Sequence, residues 1–214
     1  MNTKDRIIKA SLDLFSKKGF DPVSVRDIAG AVGIKESSLY NHFKNKQDIF
    51  DTILKGYSDR WDNIFSQLQL SGDDAQFSAD ERTINMYKNM TNENFKQIVS
   101  VVFDYYMTDE INVKFRRMLT IEQYRNEDIA KLYRKISFDD SIEYQAQLFE
   151  GLIKAGCFIE VDPYILAIEF FSPIFLIFYK YENTPQQLQD AKELFLRHID
   201  HFNEIYGKNT QKEE

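Results

Sequence analysis

Residues 24–46, with the sequence SVRDIAGAVGIKESSLYNHFKNK, constrain the fold of this chain more than any other stretch. Ser24 is followed three residues later by Asp27, and this S-x-x-D spacing is the pattern of a capping box that begins a helix. Apolar residues then recur at helical spacing until Gly33, whose permissive backbone suits a tight turn. A second short helix is predicted over 35–43. The stretch therefore predicts two helices joined by a turn.

The second of these helices, 35–43, has an inward face and an unusual outward face. Leu39 and Phe43 are apolar and lie one turn apart, which places both on the inward side. At 100° per residue, Ser37 and Asn41 point the opposite way. Small, hydrogen-bonding residues on a short exposed helix suit the DNA major groove, where asparagine can pair with adenine. Spacing alone leaves open a surface helical hairpin with ordinary solvated residues.

A further helix is predicted to begin at Lys46, with Asn45 as its N-cap. Lys46 adds a cation beside the free backbone N–H groups of this helix start, which predicts an anion site for a DNA phosphate. The helix has no strong breaker before about residue 70. It is therefore expected to connect a DNA-binding head to the rest of the chain.

Several short motifs between residues 7 and 50 share the spacing of a known family. They are Ala10, Leu14-Phe15, Gly19-Phe20, Ser24-Val25-Arg26-Asp27-Ile28-Ala29, Val32-Gly33, Ser38-Leu39-Tyr40 and Phe43-Lys44-x-Lys46. In these residues the chain resembles the DNA-binding region of the tetracycline-repressor (TetR) family. The residues and the resemblance together predict a set that contacts double-stranded DNA. This set is Ser24, Arg26, Lys35, Glu36, Ser37, Ser38, Tyr40, Asn41, His42 and Lys46.

Two positions depart from the family pattern. The family often has Ser or Thr where this chain has Lys35, so the second helix is expected to lack its usual side-chain cap. Glu36 stands where a small or basic residue is common. Its carboxylate either accepts a hydrogen bond from cytosine N4 or lies beside the groove.

The charge distribution supports DNA binding by the N-terminal region. The whole chain has a formal net charge of −7. Residues 1–47, however, hold nine Lys and Arg against five Asp and Glu, which is +4, and the remainder is therefore −11. A basic head on an acidic body directs DNA to one end of the molecule.

Pro and Gly are scarce, at 4 and 8 residues, which favours long helices over a sheet with many turns. The predicted fold is all-α, and the helical segments along the chain number about nine. The first helix is predicted to begin with Thr3 as its N-cap, and one helix is predicted over 126–155 with a bend near 137–140. The resemblance implies a three-helix head followed by a helical ligand-binding and dimerisation domain. The predicted domains are 1–47 for DNA binding, 48–207 for ligand binding and dimerisation, and 208–214 as a polar tail.

Aromatic residues are abundant in the predicted body, and the chain has 18 Phe and 12 Tyr. Tyrosine hydroxyls in an apolar cavity commonly orient a ligand. Packing and dimer burial explain the same excess, so both readings stay open. The resemblance implies a pocket for a small, largely apolar effector among the helices from the one that begins at Lys46 to the one predicted over 163–181. The candidate lining residues are Phe103, Tyr106, Phe115, Tyr124, Tyr144, Phe149, Phe171 and Phe175.

The sequence shows no pattern for an active site, a cofactor or a metal centre. His198 and His201 have a possible metal-ligand spacing, but no second cluster completes a ligand set. The stretch 164–181 is apolar but is interrupted by Glu169 and Pro173, so a buried or dimer-facing helix is expected rather than a membrane span. Together with the single cysteine and the lack of a signal-peptide pattern, this predicts a cytoplasmic protein.

The prediction for function is a homodimeric TetR-type regulator, most simply a repressor released from a palindromic operator by its effector. The eighth and ninth helices, about 163–181 and 185–206, are predicted to form the dimer interface because of their apolar surface. One alternative is a DNA-binding protein of the same fold that answers to a protein partner or to no ligand. Another is an enzyme or adaptor on a helical scaffold.

Overall fold

A computed structural model describes residues 1–67, 79–182 and 184–208, except for the side chains of 61, 62 and 64–67. Within these ranges the chain is helical and contains no β-strand, although one isolated bridge pairs Phe158 with Gly207. The predicted all-α class is therefore confirmed. The α-helices are α1 (Thr3–Lys18), α2 (Val25–Val32), α3 (Glu36–Tyr40), α4 (Lys46–Gln67), α5 (Glu81–Lys88), α6 (Asn92–Thr108), α7 (Glu110–Glu122), α8 (Glu127–Arg134), α9 (Asp140–Lys154), α10 (Pro163–Tyr181) and α11 (Leu188–Tyr206).

Helix α1 begins one residue earlier than predicted. Asn2, rather than Thr3, is the N-cap: its side-chain oxygen accepts from the Asp5 backbone N–H at 2.9 Å, and the Asp5 carboxylate accepts from the Asn2 N–H at 3.3 Å. Asparagine and threonine are both good caps, but only Asn2 has an acid three residues later to complete a capping box.

The single helix predicted over 126–155 is two helices. A π-helical turn, Lys135–Asp139, separates α8 from α9 at about the place where a bend was expected. A π-turn inserts one residue into the helical repeat and so shifts the face that the following helix presents. The sequence Ser71-Gly72-Asp73-Asp74 predicts a loop, but these residues lie outside those that the structure describes.

The chain forms two compact units. The first contains Met1–Trp61 and Asp109–Lys135, and the second contains Asp62–Thr108 and Ile136–Glu214. The first unit therefore holds α7 and α8 in addition to the predicted head, and α4 continues from it into residues grouped with the second. The functional boundary predicted after residue 47 stays a prediction.

In the first unit α7 packs along α1. The ring of Tyr57 stacks on that of Phe115 with centroids 3.6 Å apart, and the Tyr57 hydroxyl donates to Asn112 Oδ1 at 3.1 Å. Phe115 and Asn112 are both buried, so α7 brings an apolar ring and a satisfied polar group into the same core.

Ion pairs at the edge of this core join α1 to α7. Lys114 lies 2.6 Å from Asp13 and 2.6 Å from Glu110. Hydrogen bonds from Lys114 and then Lys17 hold the pKa of Asp13 below its ordinary value. A lowered folded-state pKa means that the stabilisation is present above the ordinary carboxyl pKa and is lost as pH falls through the lowered one. These groups are partly exposed, so the contribution to stability is modest.

The second unit has an aromatic core among α9, α10 and α11. Phe170 packs edge-on against Phe149 and Phe202, with centroids 5.5 and 4.9 Å apart. Helix α5 meets α9 at Gly151, where an added Cβ would overlap the side chain of Ile84. The absence of a side chain at Gly151 thus leaves the space that Ile84 occupies.

Among the described residues, α10 is the one helix long and apolar enough to cross a membrane by length and composition. It packs instead against α9 and α11, where Leu166, Ala167 and Phe170 are buried. Only 33% of its apolar window is buried, so much of its apolar surface stays uncovered within one chain.

Candidate DNA-binding surface

The N-terminus of α2 is built as its sequence predicts. Ser24 Oγ accepts from the Asp27 N–H at 3.1 Å, and Asp27 Oδ2 accepts from the Ser24 N–H at 2.8 Å. These two bonds confirm the capping box. Hydrogen bonds from the Ser24 hydroxyl and the Ser24 backbone hold the pKa of Asp27 below its ordinary value, so the cap stays charged at neutral pH.

Gly33 makes the turn that directs α3 away from α2. Its φ of +75° lies in the left-handed region, where a Cβ is disfavoured. The Ile34 N–H donates to Ala29 O at 3.0 Å and closes the turn. The helix-turn-helix predicted around this glycine is thus present in the structure.

Helix α3 is shorter than predicted. It spans Glu36–Tyr40 rather than 35–43, and Lys35 provides no side-chain cap, as its departure from the family pattern implied. Asn41 is the C-cap residue and not a central helical position. The His42 N–H donates to Leu39 O at 2.9 Å in a tight i→i−3 bond, and the Phe43 N–H donates to the same oxygen at 3.1 Å, so α3 ends in a turn that closes on Leu39.

This early turn preserves the predicted inward face. Leu39 is fully buried and Phe43 is 3% exposed, so the chain leaves the helix and still returns Phe43 to the core. Most of the predicted DNA-contacting set faces solvent. The exposed members are Ser24, Arg26, Lys35, Glu36, Ser37, Tyr40, Asn41 and His42, and the half-buried members are Ser38 and Lys46.

Lys46 is placed differently from the prediction. Its ammonium donates to the carbonyl oxygens of Phe20 at 2.7 Å, Val23 at 2.8 Å and Asp21 at 3.3 Å. It also lies 4.1 Å from the centroid of the Phe20 ring. The three donors of the ammonium are thus directed at the α1–α2 turn, so in this structure Lys46 holds the head together.

The start of α4 follows the prediction. Asn45 Oδ1 accepts from the Asp48 N–H at 2.9 Å, and Asp48 Oδ2 accepts from the Lys44 N–H at 2.9 Å. Asn45 is therefore the N-cap of α4. The side chain of Lys44 is exposed beside the end of α3.

Two cations of α1 also belong to this surface, although they were not in the predicted set. The Arg6 guanidinium donates to Val32 O at the end of α2, and Lys4 Nζ lies 5.5 Å from the centroid of the Phe43 ring. Their partners are 26 and 39 residues away in the chain, so helical spacing within α1 carries no signal for either contact.

The aromatic residues predicted to line a ligand pocket are divided between the two units. Phe115 and Tyr124 belong to the first unit, where Phe115 stacks on Tyr57 and Tyr124 is 85% exposed. The others belong to the second unit: Phe103, Tyr144 and Phe149 are buried, and Tyr106, Phe171 and Phe175 are half-buried.

Within the second unit these rings form two neighbouring groups. The rings of Phe103 and Tyr106 lie 5.7 and 4.1 Å from that of Phe178, measured between centroids. Tyr144 pairs with Tyr87, and burial raises the pKa of Tyr87 to about 12. Burial also raises the pKa of Tyr144, so both hydroxyls are neutral at physiological pH.

The histidines of α11 form no metal cluster. His198 Nε2 lies 2.8 Å from the carbonyl oxygen of Phe170, which commits this nitrogen to α10. No group of three metal-ligating side chains occurs in the part of the chain that the structure describes.

An all-helical chain with a capped helix-turn-helix near its N-terminus, whose polar residues face solvent, has the architecture of a DNA-binding regulator. Residues 7–53 match the family model described as bacterial regulatory proteins, tetR family. The resemblance noted from the sequence is therefore confirmed for this N-terminal region.

Curated relatives match less than half of the chain. IcaR of Staphylococcus aureus, a negative transcriptional regulator of the biofilm operon icaADBC, is 37% identical over 100 residues, which is 42% of this chain and 54% of the relative. IcaR of Staphylococcus epidermidis is 32% identical over 102 residues, 41% of this chain and 53% of the relative. The chain thus spans about half the length of the curated relatives it matches.

Solved structures match over nearly the whole chain. A TetR-family transcriptional regulator from Mesorhizobium loti has a TM-score of 0.66 at 22% identity and covers 96% of this chain and 97% of its own. SmeT, the repressor of the Stenotrophomonas maltophilia efflux pump SmeDEF, was solved with triclosan and has a TM-score of 0.65 at 17% identity, covering 97% and 93%. At these identities the likeness shows a shared fold.

Lys46→Met removes the ammonium and keeps most of the aliphatic stem. We expect the free energy of unfolding to fall by about 1–3 kcal/mol, because three carbonyl groups lose a charged donor. Chemical denaturation measures this change. Lys44→Met, which removes an exposed neighbouring cation, is the control and should leave stability nearly unchanged. A phosphate-contacting role would instead leave stability intact and lower the salt slope of DNA binding by about one.

Proposed function

We propose that this chain is a TetR-type transcriptional regulator that binds double-stranded DNA through α2 and α3. The observation that carries the proposal is the exposed polar group on α3 and its C-cap, supported from beneath by the buried Leu39 and Phe43. A recognition helix needs an apolar face that packs on its own domain and a polar, hydrogen-bonding face that contacts DNA.

The exposed residues suit different parts of a DNA site. Asn41 offers the bidentate amide that pairs with adenine, and the Tyr40 and Ser37 hydroxyls suit phosphate or base edges. Ser24 and Arg26 stand at the N-terminus of α2, where backbone N–H groups favour an anion. Glu36 is exposed in the first turn of α3, and we propose that its carboxylate accepts a hydrogen bond from cytosine N4.

Such a short recognition helix contacts few bases, so a second copy of the chain is needed for specificity. Helices α10 and α11 carry apolar residues that remain exposed within one chain. The most exposed are Leu176 at 64%, Tyr179 at 63%, Tyr164 at 52%, Ile205 at 50%, Ile165 at 47% and Leu194 at 39%. Burying these side chains in a four-helix dimer interface would remove them from water, and a two-fold dimer reads a palindromic operator.

Repression released by a small ligand is the mode of action we propose. The support is that IcaR is a negative regulator and that SmeT, a repressor of the same fold, was solved with triclosan. The second unit offers buried and half-buried aromatic side chains with the neutral hydroxyls of Tyr87 and Tyr144 among them. This lining suits a largely apolar effector that accepts one or two hydrogen bonds.

The functional domains that we propose are 1–47 for DNA binding and 48–207 for ligand binding and dimerisation, with 208–214 as a tail. A regulator of this kind acts in the cytoplasm, where it meets DNA, and carries out no chemical reaction. A same-fold protein controlled by a protein partner is the alternative, and the predictions below distinguish the two.

Asn41→Ala tests the DNA-binding proposal on a site selected from a random DNA pool. We expect a loss of about 1–3 kcal/mol on the selected site and little change on random DNA, because the amide contacts base edges. Gel shifts or anisotropy measure both affinities. Asn94→Ala, an exposed asparagine of α6, is the matched control. Equal losses on both DNAs would show that Asn41 does not read bases.

Leu176→Glu tests the dimer. A charge in the centre of an apolar interface is costly, so the variant should be a monomer where the wild type is a dimer. Light scattering gives the mass directly. Val101→Glu changes an equally apolar side chain, 49% exposed on α6, and should leave the dimer intact. A Leu176→Glu dimer would place the interface elsewhere.

A thermal-shift screen of small aromatic compounds tests the effector. At about 100 times its dissociation constant, a ligand should raise the melting midpoint by roughly 5–10 °C. The same compound should lower DNA affinity. Phe171→Ala should weaken both effects, whereas Tyr124→Ala should not, because Tyr124 is an exposed residue of the first unit. A screen in which no compound lowers DNA affinity favours control by a partner.

A further inference from the structure

Glu122, the last residue of α7, is a buried carboxylate with a backbone partner far away in the sequence. Its residue is 4% exposed, and its Oε1 accepts from the Phe20 N–H at 2.7 Å. Arg125 Nη1 lies 3.6 Å from the same oxygen. A carboxylate held out of water is stable only with such partners. The bond therefore ties the end of α7 to the turn between α1 and α2.

The neighbouring Gly19 shows how closely the turn fits against α7. Its φ is +82°, and an added Cβ would lie 2.7 Å from both Glu122 Oε1 and Arg125 Nη1 and 3.0 Å from Ile121 Cγ2. A side chain here would have to displace the carboxylate. Glycine thus serves both the backbone conformation and the approach of α7.

The same turn is held from α4 by Lys46. The carbonyl oxygens of Phe20, Asp21 and Val23 accept from its ammonium, while the Phe20 N–H donates to Glu122. The Glu122 carboxylate of α7 therefore binds an N–H group of the segment 20–23, and the Lys46 ammonium of α4 binds carbonyl groups of the same segment. Charged hydrogen bonds of this kind are stronger than neutral ones.

The position of this segment gives the contacts a functional meaning. Val23 is followed directly by Ser24, the N-cap of α2, and Ser24 and Arg26 belong to the predicted DNA-contacting set. The first stretch of the second unit ends at Thr108, and α7 begins two residues later, at Glu110. A shift of α7 would thus reach the start of α2 through one hydrogen bond.

We propose that Glu122 is a positioning residue for DNA binding, which fixes the α1–α2 turn and transmits the position of α7 to the N-terminus of α2. This inference rests on the DNA-binding function proposed above. Without the carboxylate, the turn must be ordered when DNA binds, and that ordering costs affinity.

The test compares Glu122→Ala, Glu122→Gln and Glu122→Asp with Glu127→Ala. Glu127 is an exposed acid of α8, so its variant corrects for the gain in DNA affinity that loss of any negative charge produces. Glutamine keeps an acceptor of the right length, whereas aspartate withdraws the carboxylate by one methylene. Affinity for the selected site is measured by anisotropy, and protection of the Phe20 amide is measured by hydrogen exchange.

Affinity should follow the protection of the Phe20 amide across the variants that fold. We expect Glu122→Ala to lose protection and to bind the site roughly three- to tenfold more weakly than Glu127→Ala. Glu122→Gln should retain both properties. Unchanged affinity in any variant that has lost protection overturns the proposal, since the bond would then be structural. Absence of salt-dependent DNA binding by the wild type would instead refute the proposed function itself.

Discussion

The structure of the DNA-binding surface depends on the burial of two side chains beneath a helix too short to be stable alone. Helix α3 has five residues, and an isolated helix of that length does not persist in water. Leu39 and Phe43 hold it against the core, and the turn after Tyr40 keeps Phe43 buried on the same side as Leu39. The burial of Leu39 and Phe43 thus stabilises the helix, and the exposed polar residues do not have to contribute to its stability.

The charge distribution and the proposed function both separate residues 1–47 from the rest of the chain. The N-terminal 47 residues carry the net positive charge, yet several of their cations are committed internally, as Lys46 is to three carbonyls and Arg6 is to Val32. The cations exposed for direct contact with DNA are therefore fewer than the sequence count, and include Arg26, Lys35 and Lys44. Net charge describes long-range attraction, whereas contacts decide which cation is available.

What the sequence predicted well was set by neighbours within four residues. The capping box at Ser24, the turn at Gly33 and the cap at Asn45 all have local partners, so spacing reveals them. The role of Lys46 depends on carbonyls 23 to 26 residues away, and that of Glu122 on an amide 102 residues away. Aromatic composition likewise grouped Phe115 and Tyr124 with the ligand-lining set, although α7 and the turn after it belong to the first unit. Tertiary contacts of this kind leave no periodic signal in the chain.

The first unit is assembled from two separated stretches, Met1–Trp61 and Asp109–Lys135. During synthesis the helix-turn-helix leaves the ribosome long before α7, which supplies Phe115, Asn112 and Glu122 to its core and its turn. Folding of this unit is therefore a non-local event that must wait until more than half of the chain has emerged. A nascent or truncated chain that ends before α7 would carry the recognition residues with an uncovered apolar surface beside them. The order of synthesis thus delays completion of the first unit until residues 62–108 of the second have been made.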